Sequence, residues 1–135
     1  MCLELFKVFR RGNPTGNIPS PRVDFDLSIL VLPPGVTTTT VQNTNSMEPL
    51  IDVGHTVLIK PATCDLHVGD IVIWEQGGQR VIHSIVAVDG ADYQTQGLNI
   101  PRPDPVKIRR ENIKSVAIGV IWTRGTGDYT ANNDD

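Results

Sequence analysis

Basic charge is scarce in this chain: its 135 residues carry 12 lysines and arginines against 15 aspartates and glutamates, a net charge of -3. A balance of this kind leaves no excess to neutralise a phosphate backbone, so no nucleic-acid partner is expected. The small clusters of Lys107 with Arg109 and Arg110, and of Lys7 with Arg10 and Arg11, read as solvated surface. Cysteine is scarcer still. Cys2 and Cys64 stand without a CxxC pair, which argues against a metal site or a disulfide framework and leaves the redox compartment open. The chain has no glycine-rich phosphate loop, no HExxH and no calcium loop, so no cofactor is expected. Long apolar runs are missing too. The longest, Ile29-Leu30-Val31-Leu32, stops at Pro33-Pro34, far short of the roughly 20 residues that span a bilayer. The first eleven residues place basic side chains after a few apolar ones and do not read as a secretory signal. A soluble protein without a membrane span is expected.

What is present is a single domain's worth of short strands. Hydrophobic residues make up 39% and charged residues 20%, which suits a globular chain with one modest core. Residues 1–35 read as an extended arm, because Pro14, Pro19, Pro21, Pro33 and Pro34 forbid a long helix. Within it, residues 25–31 are apolar enough for one strand, and the β-branched residues 37–41 suggest another. Residues 36–124 form the expected β domain. Short apolar or alternating runs at 57–59, 70–74, 81–88 and 116–122 are separated by turn signals at Pro61, Gly69, Gly77-Gly78, Asp89-Gly90 and Gly97. Gly77-Gly78 between two such runs predicts a hairpin. The expected fold is all-β, a twisted and partly closed antiparallel sheet, followed by a polar tail at 125–135. An arm without periodicity is expected to pack mainly on another chain, making an oligomer, or to lack order alone.

Three residues stand out chemically. Ser46 lies in a turn, Thr44-Asn45-Ser46-Met47-Glu48-Pro49, directly after a strand. His83 interrupts the apolar run of residues 81–88, where a histidine packs poorly. Asp104 sits in a loop stiffened by Pro101, Pro103 and Pro105. A serine nucleophile needs a base, and the base needs a group that orients it. Each residue also has an ordinary reading, as a turn serine, a core histidine and a turn former.

The motifs carry more than the single residues. Ser-Met-Glu-Pro-Leu-Ile-Asp-Val-Gly at 46–54 resembles the nucleophile box of type I signal peptidases and SOS-repressor autoproteases. Residues 66–74, with Gly69-Asp70-Ile71-Val72 and Trp74, resemble the second box, and Val81-Ile82-His83-Ser84-Ile85-Val86 the third. Tyr93-Gln94-Thr95-Gln96-Gly97-Leu98-Asn99 resembles the fourth, usually Thr-Lys-Gly-Asp-Asn. A histidine in the third box is similar to the archaeal and endoplasmic-reticulum type, in which histidine is base and aspartate supports it. The resemblance implies Ser46 as nucleophile, His83 as base and Asp104 as support, with the Thr44 hydroxyl and the Ser46 N–H as oxyanion donors. It also implies cleavage of a protein or peptide substrate after small residues, from a strand added to the sheet.

Several positions depart from the pattern. Leu98 stands where a first aspartate is usual, Asn45 where glycine precedes the nucleophile, and His55 where aspartate follows Gly54. Asn45 is expected to narrow the groove, and His55 to lie at the surface. The membrane anchor of signal peptidases has no counterpart. The functional expectation is a soluble serine endopeptidase. The rival is a non-enzymatic assembly protein, a viral coat, cement or tail component in a virion or host cytoplasm, using the sheet as scaffold. A self-cleaving regulator fits less well, because a helix-turn-helix and a basic face are missing.

Overall fold

Short β-branched segments broken by glycine and proline satisfy their backbone hydrogen bonds by pairing with one another. The computed structural model of the chain describes residues 14–125. Over them run β1 (Thr37–Thr39), β2 (Thr56–Pro61), β3 (Ile71–Gln76), β4 (Gln79–Asp89), β5 (Asp92–Gln96), β6 (Ile108–Arg109) and β7 (Ile113–Ile121). They form one antiparallel sheet in the order β1-β2-β7-β3-β4-β5-β6. The helices among the described residues are two three-residue 3-10 turns, Leu27–Ile29 and Arg110–Asn112. The all-β expectation holds. No helix among the described residues is long and apolar enough to cross a membrane.

The central strand β3 is buried on both faces. Val72 and Trp74 enter one cluster with Ile85, Ile108 and Val116, while Ile73 enters another with Met47, Ile51 and Val57. This is why β3 reads as a continuous apolar run rather than an alternation. Each fully buried aliphatic side chain contributes about 1.5–3 kcal/mol. The second cluster matters for function, because Met47 directly follows Ser46. Core packing therefore anchors the turn that carries the serine.

The predicted hairpin at Gly77-Gly78 forms, with φ of 59° and 80° and Gln76 opposite Gln79. Two positive φ values are what a two-residue hairpin turn of this hand requires. Other expectations are corrected. Residues 25–31 do not form a strand. The Asp26 carboxylate accepts from the Ser28 N–H at 3.0 Å and from its hydroxyl at 2.6 Å, folding the chain into the 3-10 turn. Ile29 and Val31 stay exposed with no strand beside them, so apolar content alone could not make one. The strand expected at 37–41 ends at Thr39. β5 and β6 were not foreseen, being polar or only two residues long.

Part of the expected arm packs on its own domain. Residues 15–24 hydrogen-bond their own domain. Thr15 N–H donates to the Asn99 carbonyl at 2.9 Å, Ser20 Oγ to Asp52 at 2.8 Å, and Val23 N–H to the Trp122 carbonyl at 2.8 Å. Residues 1–13 and 126–135, which include Cys2, Lys7, Arg10, Arg11 and most of the expected tail, lie outside the described residues. Cys64 is a free, exposed thiol.

Candidate active site

The serine turn is built from a left-handed residue and a buried neighbour. Asn45 adopts φ 62° and is only 7% exposed. Asparagine is among the few non-glycine residues that tolerate this conformation, which accounts for its standing where the resembled box has glycine. Asn99 clamps the turn from the opposite side. Its backbone N–H donates to the Ser46 carbonyl at 2.9 Å, and its Nδ2 to the Asn45 carbonyl at 3.0 Å and the Gly16 carbonyl at 2.8 Å. Asn45→Gly is expected to keep the folded stability within about 0.5 kcal/mol, whereas Asn45→Val costs about 1–2 kcal/mol in urea unfolding. Equal losses for both variants would show that the backbone conformation is not the constraint.

The structure brings Ser46, His83 and Asp104 together. His83 lies on β4 opposite Val72, largely buried. Its Nε2 is 3.3 Å from Ser46 Oγ and its Nδ1 is 2.7 Å from Asp104 Oδ2. The first distance is slightly long for a hydrogen bond, as catalytic contacts often are without substrate. The proline-rich loop returns Asp104 beside β5, where its backbone N–H donates to the Thr95 carbonyl at 2.8 Å. Thr44 Oγ1 lies 3.1 Å from Ser46 Oγ. The Ser46 N–H makes only a long 3.5 Å contact to that hydroxyl. Leu98 is half exposed, and its backbone N–H meets Met47 Sδ at 3.4 Å.

Three supporting residues escaped the sequence reading. The Thr95 hydroxyl donates to Asp104 Oδ2 at 2.6 Å and accepts from Trp74 Nε1 at 3.1 Å. Gly97 passes so close to the site that an added Cβ would lie 2.7 Å from the Ser46 carbonyl oxygen and 3.0 Å from His83 Nε2. Thr95 and Gly97 lie in the fourth motif, but neither residue type signals these contacts. The β4–β5 register creates them.

A groove of about 350 Å³ opens over the serine. Residues 39–42 and 79–83 are among those that line it. Among the described residues β1 pairs only with β2, and the first half of β4 only with β3, because β5 begins opposite Ser84. Among the described residues these two strand edges carry no further strand, and edges of that kind can pair with an extended segment. Among the described residues no cluster of three or more His, Cys, Asp or Glu side chains is placed to hold a metal ion.

Beneath the groove the arm is latched to the serine turn by buried polar groups. Ile18 N–H donates to Glu48 Oε1 at 2.7 Å, and Arg22 reaches Asp52 at 3.0 Å and the Val53 carbonyl at 2.6 Å. His55, expected at the surface, is 0% exposed. Its Nδ1 accepts from the Asp52 N–H at 3.0 Å, so Nε2 carries the proton and donates to the Pro21 carbonyl at 2.8 Å. Burial pushes this imidazole below its ordinary value.

Glu48 is 1% exposed, and burial, aided by the neighbouring Asp52 carboxylate, pushes it up from 4.5 to about 7. The Ile18 N–H and the Arg22 charge pull the other way, and burial wins. A carboxyl raised in the folded state stabilises fully below its ordinary value, and that contribution is lost as pH rises through the raised one. Wild type is therefore expected to lose stability relative to Glu48→Gln between pH 4.5 and about 7. Urea unfolding at several pH values checks this, and a constant difference across the window would refute it.

Comparison with known families matches a family described as Peptidase S24-like over residues 9–120. No curated protein and no solved structure shows a significant match.

Proposed function

The chain belongs to the Peptidase S24-like family, and from that premise we propose that it is a serine endopeptidase of the Ser-His-Asp type. The observation that carries the reading is the alignment of Ser46 Oγ, His83 and Asp104 at 3.3 and 2.7 Å on the wall of an open groove. An aspartate that accepts from Nδ1 holds the imidazole in the tautomer whose Nε2 can receive a proton.

In the proposed mechanism an extended peptide pairs with residues 39–42 and 79–83 and places a carbonyl over Ser46. Ser46 Oγ attacks that carbonyl carbon while its proton passes to His83 Nε2. The Ser46 N–H and the Thr44 hydroxyl face the developing oxyanion, and each such donor contributes about 10²–10³ in turnover. The intermediate collapses as the C–N bond breaks, and the leaving amine takes the proton from His83. Water, deprotonated by His83, then hydrolyses the acyl-enzyme and regenerates Ser46. Asp104 keeps its hydrogen bond to Nδ1 throughout and stabilises the imidazolium. The histidine base groups the chain with the archaeal and endoplasmic-reticulum type, which supports a small residue before the scissile bond.

Extended peptides carrying alanine or glycine at that position, incubated near neutral pH and mapped by mass spectrometry, test the proposal. Cleavage after the small residue, lost in Ser46→Ala, is expected. A wild-type protein that cuts none of them at any pH would favour the assembly-scaffold alternative.

A further inference from the structure

The hydrogen-bond chain behind His83 does not end at Asp104. Thr95 is 0% exposed and Trp74 is almost as deeply buried, so neither faces bulk solvent. An indole N–H is only a donor. Trp74 Nε1 at 3.1 Å therefore occupies a lone pair of the Thr95 hydroxyl and turns its single proton elsewhere. The acceptor at 2.6 Å is Asp104 Oδ2, the same oxygen that accepts from His83 Nδ1 at 2.7 Å. Two donors thus converge on one carboxylate oxygen, and the direction on the Thr95 side is set by the indole, which cannot reverse. Thr95 also grips Asp104 through the backbone, since its carbonyl accepts the Asp104 N–H. Strand register makes this possible: Thr95 pairs with Ile85, two residues along β4 from His83 and on the same face of the sheet.

We infer that Thr95 is a positioning residue of the Ser46 site, whose Trp74-oriented hydroxyl fixes the Asp104 carboxylate and through it the tautomer and aim of His83. The inference rests on the peptidase reading for its kinetic consequence, but not for its structural one. It also accounts for how one aspartate suffices although Leu98 stands where the resembled motif has a second. A charge-assisted hydrogen bond from a buried hydroxyl stiffens a carboxylate that would otherwise rotate about its terminal torsion.

The test compares Thr95→Val, which keeps the shape and removes the donor, with Thr95→Ser, which keeps the donor. Thr95→Val is expected to lower kcat about ten- to a hundredfold with KM changed less than about twofold. Thr95→Ser is expected to stay within about threefold of wild type in both. The second readout needs no turnover. In Ser46→Ala protein, the His83 Nδ1 proton should give a downfield NMR resonance held in slow exchange by Asp104. Adding Thr95→Val should broaden or remove it, and adding Thr95→Ser should keep it. An inactive wild type that retains this pattern would sink the peptidase reading and leave the positioning role standing. Unchanged kcat and an unchanged resonance in folded Thr95→Val would overturn the positioning role whatever the activity. Should the valine variant not fold, Thr95→Cys, of similar size with only a weak S–H donor, carries the same comparison and the same expectations.

Discussion

Ser46→Ala is expected to lower peptide cleavage by about 10³ or more while changing the unfolding free energy by less than about 1 kcal/mol. The two halves of this result have different causes. Ser46 Oγ touches Thr44 Oγ1 at 3.1 Å and His83 Nε2 at 3.3 Å at a half-open groove, so water can replace it at small cost. The fold rests on Met47 and Ile51 beside it, which the substitution leaves in place. Chemistry has no such substitute, since members of a nucleophile–base unit fail together. Kinetics on matched, folded proteins check this. Turnover persisting within about tenfold of wild type would remove Ser46 from the nucleophile role.

Gly97→Ala is the second large effect, and it acts by crowding the site rather than by removing a group from it. The new methyl would meet the Ser46 carbonyl oxygen at 2.7 Å, Ile100 Cδ1 at 2.8 Å and His83 Nε2 at 3.0 Å. Ile100 can swing aside because only the end of a flexible side chain is involved. The Ser46 carbonyl is backbone, held by the Asn99 N–H, and His83 is held by Asp104. Serine and histidine must therefore move apart. A misplacement approaching 1 Å costs about 10² in rate, so kcat should fall by about that factor, with an overpacking cost of about 1–3 kcal/mol in stability. Adding Ile100→Ala should return part of the stability and none of the rate. Recovery of both in the double variant would show that the site tolerates the methyl and that Ile100 alone was obstructed.

These two residues mark the boundary of what was legible in the sequence. Ser46, His83 and Asp104 were legible through the four motif boxes they resemble, since alone each also reads as a turn serine, a core histidine and a turn former. The strands of the sheet were readable wherever β-branched residues met glycine turns, as at Gly77-Gly78. Thr95, Trp74 and Gly97 were not readable as site residues. Their roles depend on β3, β4 and β5 lying side by side in one register, and neither alternation nor composition encodes that. The contacts of the arm were unreadable for a related reason. Prolines announce an extended chain, but whether it lies on its own domain is decided by Glu48, Asp52 and His55, far along the sequence. His55 looked like a surface residue because a histidine after a glycine turn carries no mark of its buried partners, Asp52 and Pro21.

The central claim, that Ser46 is a nucleophile served by His83 in a groove that receives an extended peptide, is tested most directly by a crystal structure with a bound inhibitor. The inhibitor is a peptide aldehyde ending in alanine. The account predicts a bond between Ser46 Oγ and the aldehyde carbon, with the hemiacetal oxygen facing the Ser46 N–H and Thr44. The peptide should run extended between residues 39–42 and 79–83. An aldehyde left unbonded at saturating concentration, or bonded elsewhere with the groove empty, would contradict it.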